Sequence, residues 1–202
     1  MTTKELILEK ALELFNEKGI EYGGMRELAA LLDIRVGNIT YYFATKDHLV
    51  AELSTIMSRQ NSGAIGGKIS TLFDFLTVYD QMFHNQYKYR CLFISIVHGL
   101  TQNPIAGIEY KEREKIRRAR LKEVFSLLVD AGFLKKDTDL EMLVGHLSLL
   151  SRFWISEARI SYSDVDIETV ILHYLRLVCN IFQQYAAAKG KKDIERFLRA
   201  HG

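Results

Sequence analysis

The sequence predicts an all-α fold in two parts, a group of short N-terminal helices and a larger helical domain behind it. Pro104 is the only proline in 202 residues, and helix-forming Leu, Ala, Glu, Lys and Arg are abundant. Apolar residues recur at three- and four-residue spacing along most of the chain. Between Met25 and Leu49 that pattern breaks into two segments, each too short to hold as an isolated helix, joined by a tight polar turn.

The first helix is expected from about Thr3 to Lys18, with Leu6, Ile7, Ala11, Leu14 and Phe15 on one face. Thr2 and Glu5 stand at capping-box spacing, and Gly19 is a natural stop. Met25, Leu28, Ala29 and Leu32 mark a second helix, which turns at Asp33. Ile34, Ile39 and Phe43 are the apolar points of a third segment, whose helix should run from Val36 to Tyr42. Thr45 caps a fourth helix carrying Leu49, Val50, Leu53, Ile56 and Met57. The segment Ser62–Gly67, SGAIGG, reads as the clearest break in the chain. Gly67-Lys68 fails as a phosphate-binding loop, because Ser62 takes the place of its first glycine and Ile69 that of its Ser/Thr. Beyond the break, helices are expected over residues 69–86, 89–101, 104–131, 139–158 and 164–189, with a short tail helix over 191–200. The domains are drawn at 1–48 and 49–202.

At 48% apolar and 26% charged residues, the composition is that of an ordinary globular chain. The N-terminus lacks the apolar run of a signal peptide. The longest uncharged run, Cys91 to Ile108, is interrupted by His98, Gly99, Asn103 and Pro104, so no membrane association is expected and the cytoplasm is the natural compartment. Cys91 and Cys179 lack CxxC or Cys/His spacing and read as small core residues, so no metal or cofactor is expected. No Ser/His/Asp order or carboxylate pair stands out, which argues against an enzyme.

Two short helices locked by a brief turn form a helix-turn-helix, which lays its second helix in the major groove of double-stranded DNA. Residues 1–60 hold seven Lys/Arg against nine Asp/Glu, where a DNA-binding module usually has a basic footprint. Placement answers part of that objection. Glu5, Glu9, Glu13 and Glu17 repeat along one face of the first helix, whereas Lys4, Arg26, Arg35 and Lys46 lie at helix starts or in the turn. The base-facing candidates are Arg35, Val36, Gly37, Asn38 and Thr40. Asn38 suits a bidentate bond to adenine, and Arg35 suits guanine or a phosphate. Gly37 removes a steric stop to close approach. Tyr41 and Tyr42 carry hydroxyls suited to phosphate oxygens, and Lys46, Lys4 and Arg26 are further phosphate candidates.

Residues 3–53 resemble the DNA-binding domain of the TetR family of bacterial transcriptional regulators. The resemblance rests on Ala11-Leu12-Glu13-Leu14-Phe15, Gly19, Met25-Arg26-Glu27-Leu28-Ala29, Gly37, Tyr42-Phe43, Lys46 and Leu49. Three positions depart from the family pattern: Gly24 stands for a Ser or Thr cap, Asp33 for a turn glycine and Thr40 for a tyrosine. The resemblance implies a ligand-responsive regulator, usually a repressor, with two recognition helices about 34–36 Å apart on a palindromic operator. Its C-terminal domain would bind a small-molecule effector and dimerise.

The residues of that domain fit both roles. Phe73, Tyr79, Phe83, Phe93, Phe125 and Trp154, with His98 and His146, are the candidate lining of a pocket for an apolar or aromatic effector. The alternative for each is a packed core position. Helix 139–158 carries an apolar stripe, and 164–189 is apolar on most of its circumference, so both should be buried on two sides. A homodimer pairing these two helices from each protomer would bury them. The run Lys111–Lys122 holds seven basic residues and reads as a solvated helix face with pairs such as Glu114–Arg118, rather than a second nucleic-acid patch. The rival readings are an activator or regulator without a small-molecule effector, and a helical small-molecule-binding protein with no DNA role.

Overall fold

The computed structural model describes residues 1–65, 69–102 and 104–201, and among these it forms eleven helices. In order they are α1 (Thr3–Lys18), α2 (Met25–Leu31), α3 (Val36–Tyr42), α4 (Lys46–Ile65), α5 (Leu72–Lys88) and α6 (Arg90–Ile94). They continue as α7 (Ile96–Gln102), α8 (Pro104–Asp130), α9 (Leu140–Ser161), α10 (Ile167–Tyr185) and α11 (Ala188–His201). The all-α expectation holds. No helix among the described residues is long and apolar enough to cross a membrane.

Local chemistry sets the N-terminal helices. The Thr2 hydroxyl accepts from the Glu5 amide while the Glu5 carboxylate accepts from the Thr2 amide, closing the capping box of α1. Asp33 turns the chain with φ 50, and among the described residues it is alone among non-glycines in that left-handed region. Asp33→Gly should therefore stabilise the protein by about 0.5–1 kcal/mol, read as a small rise in melting temperature. An unchanged or lower value would mean that the aspartate side chain compensates for its backbone.

Two cores result. The first joins α1–α4 through Ile7, Ala11, Phe15, Leu28, Ile39, Phe43, Leu49 and Leu53, and it also takes in Tyr89 and Cys91 from the α5–α6 corner. The second is built by α5, α8, α9, α10 and α11 around Phe75, Phe83, Phe125, Trp154, Phe182 and Phe197. α4 runs from one to the other, with Met57 packed against both.

Several element boundaries move for identifiable reasons. The break expected over Ser62–Gly67 does not begin at Ser62, because α4 continues to Ile65. Asn85 Nδ2 donates to Asn61 Oδ1 (2.6 Å) and Met57 O (3.3 Å), holding the last turns of α4 on α5. Residues 66–68, and with them the rejected phosphate-loop reading of Gly67-Lys68, lie outside the described residues. α5 starts at Leu72, not near Ile69, because Thr71 and Asp74 cap it reciprocally. The helix expected over 89–101 is two, interrupted at Ser95, whose hydroxyl bonds to Glu21 Oε2 at 2.9 Å. The helix expected to run to Lys189 ends at Tyr185. There the chain turns extended and exchanges Lys135 N–H to Tyr185 O (2.8 Å) and Ala187 N–H to Phe133 O (2.9 Å) with the α8–α9 loop.

His84 ties α5 to α10. Its Nδ1 faces Asp80 O, and its Nε2 faces Glu168 Oε2, each at 3.0 Å. Both ring nitrogens meet acceptors, an arrangement that only imidazolium satisfies fully. Burial alone pulls its pKa down, but the Glu168 bond and the Asp80 carbonyl and carboxylate outweigh that and hold it above its ordinary value. A raised histidine adds stability that is fully present below about pH 6.5 and fades as the pH rises through the folded-state value. The melting-temperature gap between the native chain and His84→Ala should accordingly be wider at pH 5.5 than at pH 8.5. Equal gaps would remove the charged histidine from the account.

Candidate nucleic-acid interface

α3 divides cleanly into an inner and an outer face. Ile39 and Phe43 are buried, and Val36 is half-buried against the same core. Arg35, Gly37, Asn38, Thr40, Tyr41 and Tyr42 face solvent. Val36 therefore belongs more to the packing than to the reading face, a consequence of its i, i+3, i+7 spacing with Ile39 and Phe43. Around Gly37 an added Cβ would meet nothing within 4 Å, so the helix surface there is open to a close neighbour. Tyr41 is 82% exposed, and its ring meets that of Tyr42 edge-on at 5.0 Å. The two hydroxyls are thus presented together at the end of the helix. The Thr40 hydroxyl donates to Gly37 O at 3.2 Å, leaving its methyl group for apolar contact.

The cations sort into free and engaged. Arg26 and Arg35 are exposed and have no ion-pair or hydrogen-bond partner among the described residues. Lys4 instead pairs with Glu52 at 2.8 Å and lies over the Phe43 ring at 5.6 Å, tying α1 to α4. Lys46 donates to Ile20 O (2.8 Å) and Glu21 O (3.3 Å), clamping the α1–α2 turn to the start of α4. Both lysines are structural ties first. Gly24 caps α2 through backbone geometry alone, with no side-chain bond, as the missing Ser or Thr implies.

Sequence reading missed the residues that join this domain to the rest. Asn16 Nδ2 donates to Lys88 O (2.8 Å), and Asn16 Oδ1 accepts from the Cys91 amide (3.1 Å). Glu21 reaches Ser95, and Lys46 holds the carbonyl of the same Glu21. A cavity of about 160 Å³, lined by Phe15, Glu21, Cys91, Ser95 and Arg159 among others, lies at this junction. The pairs Asn16–Lys88, Asn16–Cys91 and Glu21–Ser95 are each more than seventy residues apart in sequence, so no local pattern signals them.

The eight effector candidates do not share one cavity. Tyr79, Phe83 and Trp154 do come together, with Phe83 stacked on Trp154 at 4.8 Å and Trp154 Nε1 donating to Gln86 Oε1. Phe125 joins them through Phe75, and Phe93 is buried in the same core. Phe73 lies about 15 Å along α5 from Phe83; it packs on Phe197 and under Arg196 instead. His98 is exposed on α7, and His146 is exposed on the outer face of α9. An i, i+3 or i, i+4 neighbour decides such placements, and a lone histidine within an apolar run carries no such cue.

The basic run on α8 is a solvated face in part, but with different pairing. Glu114 binds Arg117 bidentately (2.8 and 2.9 Å), and Arg152 of α9 adds a third contact at 3.0 Å. Burial alone would raise Glu114; the two arginines outweigh it and hold the carboxyl below its ordinary range. Arg118 pairs with Glu141, not Glu114. Burial pushes the thiols of Cys91 and Cys179 up to about 12, which suits inert core positions.

A free-standing, polar-faced second helix on a helix-turn-helix, carried by a larger helical domain, defines the class of DNA-binding regulators. Residues 7–53 match the model of bacterial regulatory proteins of the tetR family, and residues 47–194 match that of the TetR bacterial transcriptional repressor. The chain belongs to the TetR family of transcriptional regulators, DNA-binding proteins and not enzymes. It is 43% identical over 56 residues to a probable HTH-type transcriptional regulator of Bacillus subtilis, YttP. That match spans 26% of this chain and 27% of the relative. A TetR-family regulator from Marinobacter aquaeolei VT8 shares the fold over 100% of this chain and 99% of its own, with TM-score 0.87 at 21% identity. KstR2, a ketosteroid transcriptional regulator of Mycobacterium tuberculosis, does so over 92% and 95%, with TM-score 0.64 at 15% identity.

Proposed function

We propose that this chain is a homodimeric repressor, acting in the cytoplasm, that leaves a palindromic operator when an apolar or aromatic small molecule binds. The observation that carries the ligand response is the shared first core: Tyr89 and Cys91 of the effector-side corner pack among the residues that hold α3. A shift of that corner cannot leave the recognition helix in place. Arg35, Asn38, Tyr41, Tyr42 and Arg26 are its DNA-facing residues. The aromatic interior, and the ketosteroid regulator of the same fold, favour an apolar effector. The effector acts only through its different affinities for the DNA-competent and released spacings.

One observation supports a second reading, a regulator without a small-molecule effector. Phe75, Phe83, Phe125 and Phe182 are fully buried and Phe75, Phe125 and Phe182 lie in mutual ring contact, so that interior is already filled. Fluorescence-anisotropy titration of the full chain on DNA from around its own gene, with and without a panel of steroids, lactones and aromatic acids, separates the two. Operator binding weakened at least tenfold by one class supports the first reading. Binding untouched by every class supports the second, and no sequence-selective binding would sink both.

A further inference from the structure

The cavity at the domain junction is walled from both domains. Phe15 and Glu21 come from α1 and the turn after it, Cys91, Ile94 and Ser95 from α6 and its end, and Arg159 from the last turn of α9. Two opposite charges line it, the Glu21 carboxylate and the Arg159 guanidinium, yet no ion pair joins them among the described residues. Glu21 commits Oε2 to the Ser95 hydroxyl at 2.9 Å, and its carboxylate has no other partner among the described residues. Arg159 is exposed and has no hydrogen-bond or ion-pair partner among them. Lys18 also reaches the cavity, but Glu27 holds its ammonium. Burial pushes the Cys91 thiol up, and the nearby Glu21 carboxylate adds a little to that, so the thiol stays protonated and serves as apolar wall beside Phe15 and Ile94.

These charges restrict what the cavity can hold. A simple anion is repelled by Glu21, and a simple cation by Arg159. A molecule with an ammonium group at one end and a carboxylate at the other satisfies both. At about 30 Å³ for each water, the volume of about 160 Å³ corresponds to about five waters, hence to a molecule of about five to eight non-hydrogen atoms. We propose that this cavity binds a small zwitterion of the α-amino acid class, between glycine and valine in size. Its carboxylate takes the planar fork of Arg159, and its ammonium donates to Glu21. Phe15, Cys91 and Ile94 give its short side chain an apolar seat. The occupant then bridges the turn after α1 to the end of α9, fastening the DNA-binding head to the larger domain. Lys46 at the start of α4 holds the Glu21 carbonyl, so the fastened turn is also tied to the helix that leads out of the head. This input is separate from the effector proposed above and stands whether or not that effector exists.

The test is calorimetric titration of the full chain with glycine, alanine, serine and valine, and with propionate and ethylamine as carriers of one charge each. At least one of the amino acids should bind, and each single-charge molecule should bind about tenfold or more weakly than it. Arg159→Ala and Glu21→Gln should each weaken that binding about tenfold or more. Glu21→Gln keeps an oxygen for the Ser95 hydroxyl, and Arg159 is exposed, so without ligand both variants should melt like the native protein. The bound amino acid should raise the melting temperature of the native chain, and that of either variant less at the same concentration. No binding by any of the four amino acids would overturn the proposal. Equal binding of propionate or ethylamine would overturn the zwitterion, and affinity unchanged in both variants would overturn this cavity as its place.

Discussion

Replacing Arg35 and Asn38 together with alanine is expected to weaken operator binding by about a hundredfold or more without lowering the melting temperature. Both side chains stand on the solvent face of α3, and neither contributes to the first core. Each bidentate base contact is worth about 1–3 kcal/mol, so losing two leaves mainly the salt-dependent phosphate term. Anisotropy at one fixed salt concentration reads the loss, and a thermal melt supplies the control. Lys46→Ala should behave differently. Its ammonium holds the Ile20 and Glu21 carbonyls, so the variant should lose stability along with affinity. If Arg35 and Asn38 prove dispensable, another surface of the chain reads DNA.

The largest expected loss of stability lies far from the DNA face, at Gly190. A Cβ there would stand 2.2 Å from the Phe133 carbonyl oxygen. That oxygen already accepts the Ala187 amide at 2.9 Å, within the bridge that stops α10 and starts α11. Neither backbone can retreat without breaking the bridge. Gly190→Ala should therefore cost about 2–4 kcal/mol, lowering the melting temperature by roughly 5–15 °C for a chain of this size. Gly23→Ala makes a useful contrast. Its Cβ would meet the Phe15 ring at 2.7 Å, and a ring can tilt where a carbonyl cannot, so about 1–2 kcal/mol is expected. Similar losses for both would mean that crowding of either kind is absorbed equally.

What was legible in the sequence was local. The limits of α1 and α3, the capping box at Thr2 and Glu5, and the strained turn at Asp33 follow from residues within four positions of one another. The helix-turn-helix and its outward face needed nothing more. What was hidden depends on contacts between distant segments. The two-helix corner at Ser95 depends on Glu21, the end of α10 on Phe133, and the extension of α4 on Asn85. Which of the effector candidates lie together depends on such distant contacts too. Aromatic residues along a helix show that a core exists, but not which of them face each other: Phe73 turns to Phe197 and His98 to solvent, while His146 lines an open groove with Trp154.

The placing of Tyr89 and Cys91 inside the first core limits how freely this reading head can be exchanged. A chimera that grafts residues 1–53 onto a foreign effector domain would leave a hole where that corner belongs, and Asn16 would lose both its partners. The portable unit is the head together with a matching corner. Chimeras that carry residues 85–95 with the head should stay folded and responsive, whereas those that cut after α4 should not. Specificity in this chain is thus inherited in two separated pieces of sequence, and divergence in either one must be answered by the other.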